Sequence, residues 1–311
     1  MPANVESMFY VRETPWHGLG VRVENAVCSG EALKLSGLDW NVIQKPIQTT
    51  DSLPLPGFRA NIRETDNRVL GVVTDRYKIV QNKEAFEFTD ALLGEGVQYE
   101  TAGSLQQGKR VWMLARLPQE YIIAGDEVCP YLVFSNSHDG SGSIKVCMTP
   151  IRVVCQNTLN LAIHDAKRIW TIVHTGDINE KLNEARKTLL LAEMYMDKLS
   201  EYSNVLQKKR IPDARVMDYI SELIPLPEDA SKTQERNVQL LRNDLITRYF
   251  EAPDLKYLPK TGWRFINAVS DFATHMDPLR KTDTYKNNLF MKTIDGNPLI
   301  DKAHEIILAV A

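Results

Sequence analysis

The stretch CPYLVFSNSHDGSGSIKVCM, residues 129–148, decides the fold class of the N-terminal half. Apolar runs at 131–134 and 144–148 flank Asp139-Gly140 and Ser141-Gly142, and these dipeptides supply the positive φ angles that a tight turn needs. The stretch therefore predicts a β-hairpin with Asp139 and Gly140 in its turn. We expect an antiparallel sheet built around this hairpin.

Shorter apolar runs on both sides of the hairpin predict further strands. They lie at 69–73, 77–80, 97–105, 109–117 and 168–175. Asn82 is the predicted N-cap of a helix over 83–93, whose apolar residues share one face. We therefore predict an α+β protein in which the N-terminal half is an antiparallel β-sheet core with a backing helix.

The pattern changes after Gly176, where apolar residues recur at steps of three and four. Helices are predicted at 177–210, 214–224, 232–250, 262–275 and 298–310. The predicted organisation is a β-rich core domain over 1–176 and a helical region over 177–311. Because charges alternate in sign on the polar helix faces, the helical region is expected to pack and not to carry the main site.

The composition is that of an ordinary globular protein. The 311 residues are 43% hydrophobic and 25% charged, with a formal net charge of −3, and these values exclude wholesale disorder. The first residues lack a signal-peptide pattern, and no apolar run approaches the roughly 20 residues that span a bilayer. We expect a cytoplasmic protein with no membrane partner. Its four cysteines, none in Cys-x-x-Cys spacing, are expected to be reduced thiols.

No complete catalytic motif is present. The six histidines show neither His-x-x-x-His nor His-Glu-x-x-His spacing, and no Walker-type loop occurs, so neither a metal nor a cofactor is predicted. An enzyme that uses Cys155 with His138 or His164 as its base stays open, although flanking valines favour a buried thiol. The segment TPWHGLG, residues 14–20, could approach a ligand, or Trp16 could fill an apolar gap.

Basic and aromatic residues are interleaved in the β-rich half. Seven basic and five acidic residues lie between Gly108 and Arg168, a mixture suited to a groove that neutralises phosphates while aromatic rings stack on bases. The predicted phosphate contacts are Lys109, Arg110, Arg116, Lys145, Arg152 and Lys167. Gln156 and Asn157 are expected to contact phosphates or base edges, and Trp112 or Trp170 to stack. Ordinary strand amphipathicity explains the same bias, and Arg152 could instead pair with Asp139.

Four strings carry a family resemblance. Residues 16–20, 77–86, 137–141 and 152–159 resemble, in order, a phage- and plasmid-like family catalogued as the domain of unknown function 932. The resemblance implies a mobile-element setting and brings no established catalytic residues.

The order of the elements is also similar to the core of the single-strand annealing proteins of homologous recombination, in which a hairpin sheet backed by a helix holds single-stranded DNA in oligomeric rings. The matching segments are 82–93, 97–117, 129–148 and 149–166. We therefore expect a non-enzymatic protein that binds single-stranded DNA or RNA as a homo-oligomer. A host-interaction or anti-defence protein that binds a protein partner, and the enzyme named above, are the alternatives.

Overall fold

The computed structural model describes most of the chain: residues 5–11, 20–24, 28–93, 98–152, 157–158, 169–176, 180, 190–276, 278–279 and 296–309. Its strands are β1 Val5–Val11, β2 Val21–Val23, β3 Val42–Gln48, β4 Pro54–Arg63, β5 Arg68–Thr74, β6 Gln98–Leu105, β7 Arg110–Arg116, β8 Tyr121–Ile123, β9 Asp126–Ser137, β10 Ile144–Arg152, β11 Asn157–Thr158 and β12 Ile169–Ile172. Its helices are α1 Ser29–Leu35, α2 Asn82–Leu93, α3 Leu190–Lys208, α4 Asp213–Leu223, α5 Lys232–Glu251, α6 Gly262–His275 and α7 Pro298–Ala309. The predicted α+β class, with helices in the C-terminal half, is confirmed.

The chain divides into two compact units. Unit 1 contains residues 1–119, 131–148 and 168–192, and unit 2 contains 120–130, 149–167 and 193–311. The boundary predicted at residue 176 stays a prediction.

A large sheet forms the centre of unit 1. Its strands lie in the order β10–β9–β7–β6–β1–β2, and β12 pairs with β10. The pairs β1–β6, β6–β7 and β7–β9 are antiparallel, whereas β1 and β2 are parallel. One face of this sheet, which includes Val111, Met113 and Phe134, shares a buried apolar core with residues of α1 and α2. The backing helix is α2, whose Thr89 hydroxyl lies 3.1 Å from the sulfur of Met113.

A smaller antiparallel sheet, β3–β4–β5, also belongs to unit 1. Gly71 in β5 lies against the β9–β10 turn so closely that a Cβ atom there would come within 2.6 Å of Asp139 Cα. On β3, the Gln81 side chain accepts a hydrogen bond from the main-chain N–H of Val42 and donates one to its carbonyl, both at 2.9 Å. Gln81 thus occupies hydrogen-bonding groups that an edge strand would otherwise expose.

Two local predictions are wrong. Residues 77–80 do not form a strand: the Tyr77 N–H closes a turn on Thr74 O, and the Lys78 N–H donates to His174 O at 2.7 Å without a strand ladder around it. Asn82 does not cap α2. The Glu84 carboxylate accepts from the Gln81 N–H at 2.7 Å, whereas the Asn82 amide donates to Leu38 O at 3.0 Å. Asn82 therefore ties α2 to the segment that leads into β3.

Unit 2 is mainly helical. In it, β8 pairs with the first residues of β9, and β11 pairs with the last residues of β10. Helix α6 is buried on most of its surface, and a Cβ atom at Gly262 would come within 2.7 Å of Ile307 in α7. Among the described residues, no helix combines the length and apolar character that crossing a membrane requires.

Candidate functional site

The β9–β10 hairpin is held in place by a buried histidine. His138 is fully buried, its Nε2 lies 2.9 Å from Asn82 Oδ1, and its ring meets Trp40 edge-on with centroids 5.5 Å apart. Its main-chain N–H donates to Lys109 O at 2.7 Å, and its carbonyl accepts from Asn61 Nδ2 at 2.7 Å. The hairpin is therefore fixed to α2, to the β6–β7 turn and to the small sheet at one residue.

Burial also sets the protonation state of His138. Removal from water, with a smaller contribution from nearby His174, lowers the pKa of His138 to about 3, and Nδ1 has no hydrogen-bond partner. The imidazole is neutral at physiological pH and out of reach of a substrate, so it stabilises the fold. Cys155 and His164, the other groups of the enzyme alternative, lie outside the described residues.

A second aromatic pair supports the same hairpin. Tyr77 donates from its hydroxyl to Ser137 O at 2.6 Å and stacks on the His174 ring with centroids 4.3 Å apart. His174 Nδ1 lies 2.9 Å from Lys78 O. Burial raises the pKa of Tyr77 and lowers that of His174. The Tyr77 hydroxyl and the His174 ring are thus engaged in hydrogen bonds and stacking that support the hairpin.

The turn itself is closed by Asp139, as predicted. Its Oδ1 accepts from the Ser141 N–H at 2.9 Å and from the Ser137 hydroxyl, and Gly140 has a φ of 78°. The pKa of Asp139 is lowered by these hydrogen bonds and by nearby Arg110, despite partial burial. Arg110 is thus close enough to Asp139 for its positive charge to lower the pKa of that carboxyl. The sequence left open that Arg152 pairs with Asp139, but the side chain of Arg152 lies outside the described residues.

Several predicted basic residues share the face of the large sheet opposite the core; we call it the outer face. On β7, Arg110 and Arg116 alternate with the core residues Val111, Met113 and Ala115. On β10, Lys145 lies between the core residues Ile144 and Val146. Arg110, Arg116 and Lys145 are half-buried, and Lys109 precedes β7 in the β6–β7 turn. The strand period of two thus places these three side chains on one face.

Both tryptophans predicted to stack on bases are buried. Trp112 is on the outer face but only 4% exposed, because its ring fills the space over Gly103, where a Cβ atom would lie 2.7 Å from Trp112 Cη2. Trp170 is 9% exposed and pairs with Val146, a core-face residue. In this conformation neither ring is available to a base.

Two tyrosines that the sequence reasoning did not choose lie on the outer face instead. Tyr131 on β9 is directly opposite Arg116, and Tyr10 on β1 is opposite Thr101, which in turn faces Leu114. Both tyrosines are half-buried. Tyr131 was visible in the sequence among the aromatics of this region, but only the strand register places it beside a basic residue.

The remaining predicted site residues are described in part or not at all. The backbone of Arg152 pairs with that of Asn157 between β10 and β11, while Gln156, Lys167 and residues 16–19 lie outside the described residues.

A group of possible metal ligands lies in unit 2. Ligand atoms of Glu120, Glu127 and Cys129 are all within 4.8 Å of one another, and the Cys129 thiol lies 3.8 Å from Glu127 Oε1. Exposed acidic groups often cluster in this way without an ion.

Residues 69–293 match the domain of unknown function DUF932. The match covers well over half of the chain and includes the hairpin, its buried histidine and β7. The chain belongs to the DUF932 family. No curated protein and no solved structure matches it.

Proposed function

We propose that this DUF932 protein binds single-stranded nucleic acid on the outer face of its large sheet. The observation that carries the proposal is the placement of Arg110, Arg116 and Lys145 on that face, with Tyr131 opposite Arg116. Phosphate contacts come from the basic groups, and base stacking comes from Tyr131 and Tyr10. This mixture of cations and aromatic rings is what sequence-tolerant single-strand binders use.

The spacing of the charges suits an extended strand. Arg110 and Arg116 are six residues apart on β7, so their Cα atoms are separated by about 20 Å. A backbone that follows β7 meets a cation near each end of the strand, and Lys145 adds a third on β10. Ser135 and Ser137 lie opposite Trp112 and Arg110 on this face, and both are buried.

The resemblance to annealing proteins extends the proposal. It adds a cytoplasmic homo-oligomer of a mobile element that anneals or protects single strands, with DNA as the first ligand to test and RNA as the second.

The test removes two positive charges from the outer face. Arg116→Gln with Lys145→Gln should weaken binding of a fluorescein-labelled 20-mer of deoxythymidine, and the slope of log Kobs against log salt concentration should fall by about 1.4, since each single-strand phosphate contact contributes about 0.7. Lys34→Gln with Lys83→Gln is the matched control, because both lysines are exposed in unit 1 and the net charge changes equally. Equal binding by the two double variants would refute the outer face as the site.

A protein partner is the second candidate function, and one surface favours it. The small sheet exposes apolar side chains from β4 and β5 on one face: Phe58 at 47%, Val69 at 55% and Val72 at 54%. Exposed apolar groups that lie together are typical of protein contacts. A Val72→Lys variant that still binds the oligonucleotide but loses self-association in light scattering would assign this face to contacts between copies and remove its support for a different protein partner.

A further inference from the structure

We infer that unit 2 carries a separate contact surface for single-stranded nucleic acid, an inference that rests on the function proposed above. The surface is formed by Lys208, Lys209, Arg210, Lys256, Tyr257 and Lys260, and we call it the basic seam. The sequence places these residues in two segments on either side of α4 and α5. Charges that alternate in sign on the helix faces predicted that this region packs and does not carry the main site, and the seam departs from that expectation.

Backbone pairing brings the two segments together. Arg210 and Thr261 form an antiparallel bridge. On either side of it, Ile211 N–H donates to Lys260 O at 2.9 Å, and Gly262 N–H donates to Lys209 O at 2.8 Å. The run Lys208-Lys209-Arg210 therefore lies beside the loop that ends at Lys260. This short ladder fixes the register, so the concentration of charge is a property of the fold.

The seam is positively charged in a chain whose net charge is negative. Its five basic residues have two acidic neighbours in the same segments, Asp213 and Asp254. Asp213 pairs with Lys260 at 2.6 Å, and Lys209 donates to Leu308 O at 3.0 Å. Within the described part of unit 2, no carboxylate forms an ion pair with Lys208, Arg210 or Lys256. Three exposed cations thus face solvent. A nucleic acid that binds them would release the counterions condensed on its phosphates.

An exposed aromatic ring accompanies these charges. Tyr257 is 84% exposed, and the Lys256 ammonium lies 4.8 Å from its ring centroid. The loop that presents them is fixed from inside, because the buried Arg264 guanidinium donates to Lys256 O at 3.3 Å and to Leu258 O at 2.9 Å. The backbone on either side of Tyr257 is therefore held by buried hydrogen bonds, which lowers the loop entropy lost when a ligand binds there.

The combination favours single-stranded nucleic acid over other polyanions. Cations alone would bind an acidic peptide or an anionic lipid equally well. A solvent-facing ring beside them, on a loop whose backbone is held from inside, adds a flat surface on which an unpaired base stacks. Base-paired nucleic acid hides its base faces.

The experiment uses the full chain and the fluorescein-labelled 20-mer of deoxythymidine. Lys208→Gln with Arg210→Gln should lower the salt slope by about 1.4. Tyr257→Ala should weaken binding on the order of 10-fold, whereas Tyr257→Phe should bind as the parent chain does, because the ring is retained. Lys232→Gln with Arg236→Gln, two exposed residues of α5 in the same unit, removes equal charge and should leave the slope unchanged.

The outcomes separate this inference from the proposed function. If the seam variants bind as the parent chain does while Arg116→Gln with Lys145→Gln weakens binding, the seam inference is overturned and the outer face stands. If the seam variants alone weaken binding, the seam is supported and the outer face is refuted. An unmodified chain that binds polyglutamate as tightly as the oligonucleotide, with no effect of Tyr257→Ala on either, overturns the seam as a nucleic-acid site.

Discussion

Acid should destabilise unit 1 through one proton on His138. The folded chain holds this imidazole neutral, with its pKa lowered to about 3 by burial, whereas the ordinary value is 6.5. The unfolded chain therefore binds the proton more readily, and the stability that His138 contributes is complete above pH 6.5 and is lost as the pH falls toward 3. Between pH 7.5 and pH 5 the free energy of unfolding should fall by about 2 kcal/mol from this group. Burial also lowers the pKa of His174, so its contribution has the same sign.

The assay is hydrogen exchange of the 129–148 segment, read by mass spectrometry at the two pH values and corrected for the intrinsic exchange rate. Urea denaturation followed by circular dichroism provides an independent free energy. His138→Gln removes the titrating group, so its pH difference should be smaller than that of the parent chain by about 2 kcal/mol. The reasoning is refuted if His138→Gln loses as much stability between the two pH values as the parent chain does.

Two further substitutions test how the hairpin is held. Gly71→Ala should lower the free energy of unfolding in urea by about 1–3 kcal/mol, because its Cβ would meet the Asp139 backbone at 2.6 Å. Gly30→Ala is the control: it lies in α1 with no atom within 4 Å of the added Cβ, and it should raise the stability by up to about 1 kcal/mol. Equal effects at the two glycines would contradict this account. Asn82→Ala leaves His138 Nε2 and Leu38 O without their buried partner, so the free energy of unfolding should fall by about 2–4 kcal/mol. Asn41→Ala at the surface should lower it by less than about 0.5 kcal/mol. A small loss at Asn82 would show that water replaces its amide.

Local chemistry allowed the sequence to predict much of the fold. The Asp139-Gly140 turn, the alternation along β7 and the three- and four-residue steps of α4 to α6 depend on neighbours in sequence. The sequence predicted β5 of the small sheet but not β3 or β4, because Pro46, Pro54 and Pro56 interrupt the apolar pattern of those two strands. These strands are recognised as strands only once they pair.

The candidate site was predicted less well, for the same physical reason. Strand parity correctly separates Arg110 and Arg116 from the core side of β7, but it does not show that Trp112 is buried over Gly103 on another strand. The selection of Tyr131 needs the β7–β9 register, and the basic seam needs the bridge between Arg210 and Thr261. Each of these features depends on contacts between residues that are distant in sequence.

The pairing of β1 with β6 also determines when the large sheet can form during synthesis. Residues from Val5 to Tyr10 take their partners from Thr101 to Leu105, so β1 remains without its antiparallel neighbour until more than 90 further residues have been made. At about 5–20 residues per second, that interval lasts roughly 5–20 s. The small sheet pairs consecutive strands between Val42 and Thr74, so its partners are complete earlier. The residues of the small sheet that meet the turn, Gly71 and Val73, are therefore synthesised before the turn itself.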